Sequence, residues 1–156
     1  MSWSHSSVVT LPVAMADVWE VIATPEVLPA WNPAVSKLER QEKSGRRLVP
    51  GDRLDFVPQP PFMGAVHSAT APPAVVTEFR LERAFEWRQP QPGGGMTVRW
   101  DLEAVPAGTQ ITQTVTLTGL GARVFAETNG KPFAANFERN AHMILGLEDQ
   151  AHAYRH

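Results

Sequence analysis

The chain has 156 residues, 43% of them hydrophobic and 19% charged, with a formal net charge of −2. A single domain of this size buries roughly 70% of the surface its unfolded chain exposes, enough for one proper core. Its near-neutral charge excludes a protein that holds nucleic acid or anionic membrane by bulk electrostatics. Cysteine is absent, which removes disulfides, thiolate metal sites and a cysteine nucleophile. The N-terminus MSWSHSSVVTLP lacks a basic segment leading into an apolar run. No window reaches the ~20 apolar residues of a membrane span, so the expectation is a cytoplasmic protein without stable membrane insertion. With no internal repeat, linker or low-complexity tract, residues 1–156 are expected to form one domain.

In chain order, Ser2 to Leu11 ends in a β-branched run before Pro12 and reads as a first strand. Met15, Val18, Trp19 and Ile22 then recur at three- and four-residue spacing, one face of a short amphipathic helix. In TPEVLPAWNPAV, Thr24 is placed to cap a second short helix with Pro25 in its first position. Trp31 shares a face with Val27 and Leu28, and Asn32-Pro33 ends the helix, because a residue before proline avoids helical dihedrals. Trp31 is therefore expected to point inward at a helix end.

From there to about Thr118 the hydrophobic period changes to two, with breaks at Ser44-Gly45, Pro50-Gly51, Pro58 to Pro61, Pro72-Pro73, Pro90 to Gly95 and Pro106 to Gly108. About six antiparallel strands follow from this. Met96, Val98, Trp100, Leu102 and Ala104 form one inward series; Phe85 with Trp87, and Leu54 with Phe56, form others. Between Gln110 and Thr118 the inward series is Ile111, Gln113, Val115 and Leu117, in which Gln113 is the polar exception. The last element, about Lys131 to Tyr154, carries Phe133, Phe137, Ala141, Ile144 and Ala151 along one stripe. As a helix it would be ~35 Å long, and it can bury that stripe only against a wide sheet. A sheet of that many strands curls, and one helix about 10 Å wide leaves a cavity between itself and the sheet.

This element order, with VVTLPVAMADVWEVIATPEVLPAWNPAV, VTEFRLERAFEWR, MTVRWDLEAVPAGTQITQTVTLTG and FAANFERNAHMILGLEDQA, resembles the START and birch-pollen-allergen (SRPBCC) superfamily over nearly the whole chain. Within it, the chain is most similar to the polyketide cyclase/dehydrase-like branch. The resemblance implies an α+β helix-grip fold: a curved antiparallel sheet of about six to seven strands wrapped around a long C-terminal helix, with two short helices after strand 1. It also implies a hydrophobic ligand cavity. The region DFVPQPPFMGAVHSAT departs from the glycine-rich signature of the Hsp90-assisting members, and no catalytic residue carries over by motif.

The candidate ligand-binding residues are Trp31, Asn32, Phe56, His67, Trp87, Trp100, Gln113, Phe133, Asn136, Phe137 and Asn140. Each also has a structural reading. Trp31 and Asn32 could wall one end of a cavity, or be core and turn. Inward indoles such as Trp87 and Trp100 need acceptors that either the protein or a ligand supplies. A buried amide without partners costs about 1–3 kcal/mol, so Gln113 demands a network or a ligand. Asn136 and Asn140, four apart beside Phe133 and Phe137, could join Gln113 in polarising a carbonyl, or form the polar flank of the helix. His67 follows the loop Gln59 to Gly64, a candidate lid, and is either an acid–base group or structural.

Glu148, His152 and His156 have helical ligand spacing but lie at a terminus, so no metal is assigned. The glycines match no nucleotide fingerprint, and no cofactor is expected. The leading expectation is binding of a small hydrophobic molecule, a lipid or polyketide-like aromatic. The alternatives are a cyclase or dehydratase working by hydrogen-bond polarisation of a carbonyl, with His67 or an ordered water moving protons, and an interaction protein with a filled core. No nucleic-acid partner is expected, and a homodimer through exposed sheet or helix surface fits base rates.

Overall fold

The computed structural model describes residues 2–42, 46–58, 72–91 and 93–154. Seven strands form one antiparallel sheet: β1 (Ser2–Leu11), β2 (Val35–Arg40), β3 (Arg53–Pro58), β4 (Ala74–Arg80), β5 (Ala84–Gln91), β6 (Gly94–Val105) and β7 (Gly108–Gly119). Their spatial order is β1-β7-β6-β5-β4-β3-β2. The two-residue alternation read from the sequence decides which side chains line the inner face. Leu54, Phe56, Phe85, Trp87, Met96, Val98, Trp100, Leu102, Ile111, Gln113, Val115 and Leu117 are all buried. Ala104 is the exception, exposed near the end of β6. Register shifts between Val35 and Lys37 and between Val76 and Glu78 add the extra twist that bulges impose and help the sheet curl.

The segment between β1 and β2 holds α1 (Met15–Ile22), a 3₁₀ turn at Pro25–Val27 and α2 (Leu28–Trp31). Val18, Trp19, Val21 and Ile22 are buried, with Met15 at the margin. Thr24 does not cap the second helix. Its hydroxyl donates back to the Glu20 carbonyl at 2.7 Å, which ties it to the end of α1 instead. Proline at the start of the following turn lacks an N–H, so little is lost there without a cap. Asn32 ends α2 in an extended conformation, as its position before Pro33 requires.

A buried ion pair fixes this segment to the sheet. Arg40 donates through Nε at 2.9 Å and Nη2 at 3.1 Å to the Glu26 carboxylate, which also accepts the Arg40 backbone N–H at 3.2 Å. Both side chains are largely buried, at 10% and 6% exposure. Trp31 is placed by the same turn.

The C-terminal helical path begins at Ala122, nine residues before the expected start. It runs through α3 (Ala122–Phe125), a π-helical turn at Ala126–Gly130, α4 (Lys131–Asn140) and a 3₁₀ stretch at Ala141–Gly146, and α5 (Glu148–Ala153) follows. The expected element began at Lys131, and the helical path reaches back beyond it through the π-helical turn at Ala126–Gly130. Here Pro132, near the start of α4, follows a widened turn, which accommodates a residue without an N–H. Gly146 ends the continuous path, so the helix does not extend unbroken to Tyr154. The stripe Phe133, Phe137, Ala141, Ile144 and Ala151 is buried as its spacing requires.

Close approach of the helix to β1 depends on Gly130, where a Cβ would lie 2.4 Å from Trp3 Cζ3. Beside this contact, Trp3, His5, Lys131, Ala134, Ala135 and Glu138 line a surface pocket of about 340 Å³. The Ser7 hydroxyl donates to Glu138 at 2.7 Å and His5 Nε2 lies 3.2 Å from the same oxygen. These bonds, Ser7 first, hold the Glu138 carboxyl below its ordinary range. A depressed carboxyl contributes stability above its unfolded pKa and loses it as pH falls through the folded value. Ser7→Ala is therefore expected to raise the Glu138 pKa toward the ordinary glutamate range, read by carboxyl-carbon NMR titration, and to shift the acid loss of stability upward.

Candidate functional site

The inner face of the sheet and the C-terminal helix pack around a cluster of aromatic side chains. β6 and β7 place Trp100 directly opposite Gln113, and β5 places Phe85 opposite Trp100 on its other side. Trp31, delivered by α2, meets Trp100 edge-on with ring centroids 5.8 Å apart and Phe137 of α4 at 6.3 Å. Trp87 continues the wall, 6.3 Å from Trp100, 6.1 Å from Phe133 and 5.8 Å from Phe56. Seven of the expected residues, Trp31, Phe56, Trp87, Trp100, Gln113, Phe133 and Phe137, therefore meet in one buried cluster, each nearly inaccessible to solvent. They converge because strand alternation and helical spacing both point to the same side.

The polar groups of this cluster have a consistent bias. The Trp100 indole N–H donates to Gln113 Oε1 at 2.8 Å. An indole nitrogen can only donate, so this bond fixes which end of the Gln113 amide is oxygen. Gln113 Nε2 is then left buried with no acceptor among the described residues, and the Nε1 groups of Trp31 and Trp87 are in the same state. Asn32, fully buried, accepts the Ala34 N–H at 3.2 Å through Oδ1, and its Nδ2 is also unpaired among the described residues. All four unpaired atoms are donors.

The two helix asparagines are placed differently. Asn136 donates to the Pro132 carbonyl at 2.9 Å and is half-buried, as is Asn140. Neither forms a hydrogen bond to Gln113 among the described residues. His67 and the loop Gln59 to Gly64 lie outside the described residues. So does His156, while His152 is exposed and faces Glu20 at 3.6 Å.

Three buried amides escaped the sequence reading. Gln89 and Gln91 extend the inward series of Phe85 and Trp87 along β5, and Asn129 of the π-helical turn donates to Gln91 Oε1 at 3.2 Å. The alternation was a usable signal, but it crosses Pro90, which reads as the end of a strand. Gln89 donates to the Pro72 carbonyl at 2.5 Å.

A curled seven-stranded antiparallel sheet with a C-terminal helical segment lying across an aromatic inner face defines a helix-grip protein. The family model described as polyketide cyclase / dehydrase and lipid transport matches residues 2–144, and the chain belongs to that family. No curated protein matches the chain. Among solved structures, the di-domain ARO/CYC StfQ from the steffimycin biosynthetic pathway superposes with a TM-score of 0.68 at 16% identity, covering 92% of this chain and 51% of StfQ. The chain thus spans about half the length of StfQ. Zhui aromatase/cyclase from Streptomyces sp. R1128 gives 0.58 at 17% identity, over 97% of this chain and 94% of Zhui. Ara h 8.0201 gives 0.61 at 15% identity, over 93% and 99%. These likenesses establish the fold. No helix among the described residues is long and apolar enough to cross a membrane.

Proposed function

We propose that this protein binds a small hydrophobic molecule, a lipid or polyketide-like aromatic, between the sheet and the C-terminal helix, with a carbonyl-type oxygen turned toward Gln113. The observation that carries this reading is the set of buried N–H groups on Trp31, Asn32, Trp87 and Gln113 without acceptors among the described residues. Leaving each unpaired costs about 1–3 kcal/mol, and a ligand that accepts hydrogen bonds removes part of that cost. The aromatic walls supply apolar contact, worth about 25 cal/mol per Å² buried. Flavone, a planar hydrophobic ketone, is a suitable probe. Saturable quenching of tryptophan fluorescence is expected, with Gln113→Leu weakening the complex by about tenfold. Absence of quenching at any soluble concentration would count against the chamber as a binding site.

The same donor set supports a second reading, a cyclase or dehydratase. Donors preorganised at a carbonyl stabilise the negative charge that develops on its oxygen as an aldol-type ring closure proceeds. Similarity to StfQ and Zhui, named as aromatase/cyclases, supports testing this activity. A poly-β-ketone substrate mimic should then cyclise faster with the protein than in buffer, and Gln113→Leu should lower kcat more than it raises KM. Equal rates with and without protein would leave binding alone.

A further inference from the structure

We infer that Gln89, Gln91 and Asn129 form a second polar subsite at the β5–β6 hairpin end of the chamber, one that takes a hydroxyl group of the bound ligand. This rests on the chamber being a ligand site, and it specifies the ligand further. Gln89 and Gln91 are 0% and 7% exposed, and Asn129 is 0% exposed. Gln89 Nε2 faces two carbonyl oxygens, Pro72 at 2.5 Å and Pro90 at 3.4 Å. Carbonyls only accept, so the orientation of the amide is settled and its Oε1 is the atom left without a partner among the described residues. On Gln91 the oxygen takes the Asn129 amide at 3.2 Å, and Nε2 is left unpaired among the described residues.

The subsite therefore presents one acceptor and one donor, whereas the Gln113 end presents donors alone. Gln89 and Gln91 are two positions apart on one strand face, about 6.6 Å along the backbone. A hydroxyl oxygen making two hydrogen bonds bridges partners roughly 4.5–5.5 Å apart, which flexible amide side chains at that spacing can meet. A hydroxyl donates to Gln89 Oε1 and accepts from Gln91 Nε2. A ketone oxygen satisfies only the second.

Register sets the distance between the two ends. Gln113 lies level with Trp100 and hence with Phe85, while Gln89 lies level with Met96. Four strand residues separate Phe85 from Gln89, roughly 13 Å, less the reach of the side chains. The ligand that fits is elongated, with an acceptor oxygen at one end, a hydroxyl at the other and an apolar body against Trp87 between them.

Flavone and its derivative bearing a hydroxyl at the far end of the pendant phenyl ring test this, since they share rings and carbonyl and differ by that group. Calorimetric titration of the full chain is expected to show hydroxyflavone binding about tenfold more tightly than flavone, the ratio that one net hydrogen bond supplies. In Gln91→Leu and in Gln89→Leu, each made separately, the ratio should fall to about one. Equal affinities in the unaltered protein would overturn the second subsite and assign its two atoms to a buried water, with the chamber reading intact because flavone binds. A ratio that persists in both variants would also overturn it. If neither compound binds the unaltered protein, the chamber reading fails and this inference with it.

Discussion

Arg40→Leu is expected to lower the unfolding free energy by about 3–5 kcal/mol, measured as a fall in the urea midpoint at constant slope. The guanidinium is the bidentate partner of Glu26 at 2.9 and 3.1 Å, and its loss strands a carboxylate that is only 6% exposed. Removing a single partner is costly because the remaining ion keeps its desolvation penalty and loses its attraction. The double replacement Glu26→Leu with Arg40→Leu should recover a large part of the loss, since no charge is then left buried. A double variant as unstable as the single one would show that the pair acts by anchoring the turn before Trp31 and not through uncompensated charge. Thermal unfolding followed by tryptophan fluorescence would report both quantities, because Trp31 lies just beyond that turn.

Trp100→Ala is the second large effect. Trp100 is 1% exposed and touches Trp31, Phe85 and Trp87. Its truncation is expected to cost about 3–5 kcal/mol in stability, together with at least tenfold in affinity for flavone. Trp100→Phe separates packing from hydrogen bonding. It keeps most of the ring contact, yet removes the N–H that holds Gln113 Oε1 at 2.8 Å. The Gln113 amide can then rotate, and the donor it offers a ligand is no longer fixed. Affinity should fall by more than the loss of ring area explains. If Trp100→Phe binds flavone as tightly as the unaltered protein, the indole–amide pair is a packing feature and Gln113 does not orient the ligand.

The legible parts of the fold were those written in local periodicity. The alternation through Met96, Val98, Trp100 and Leu102 and through Ile111, Gln113, Val115 and Leu117 located β6 and β7, and the structure buries all eight. Trp31 was placed inward by its spacing from Val27 and Leu28, and it is 1% exposed. Where the reading stopped short, a residue with two meanings stood in the way. Pro90 reads as a break, yet it occupies an outward position of β5 between two inward glutamines. The final helix was expected from Lys131, yet the helical path begins at Ala122 and reaches α4 through a π-helical turn, whose wider winding the 3.6-residue spacing does not describe.

By itself, the sequence determined the order of elements, the inward identity of the aromatic residues and the presence of one amide among them. These follow from a period of two in strands and 3.6 in helices, which neighbouring residues express without reference to the rest of the chain. Only the tertiary structure decided which polar atoms would be left unpaired. Trp100 finds Gln113 across thirteen positions, Gln91 finds Asn129 across thirty-eight, and Glu26 finds Arg40 across fourteen. Such pairings are set by strand register and by how the helix crosses the sheet, and a hydrogen bond tolerates errors of only a few tenths of an ångström. The set of unpaired donors around Trp100 among the described residues is therefore a property of the folded assembly, although every residue that creates it is present in the sequence.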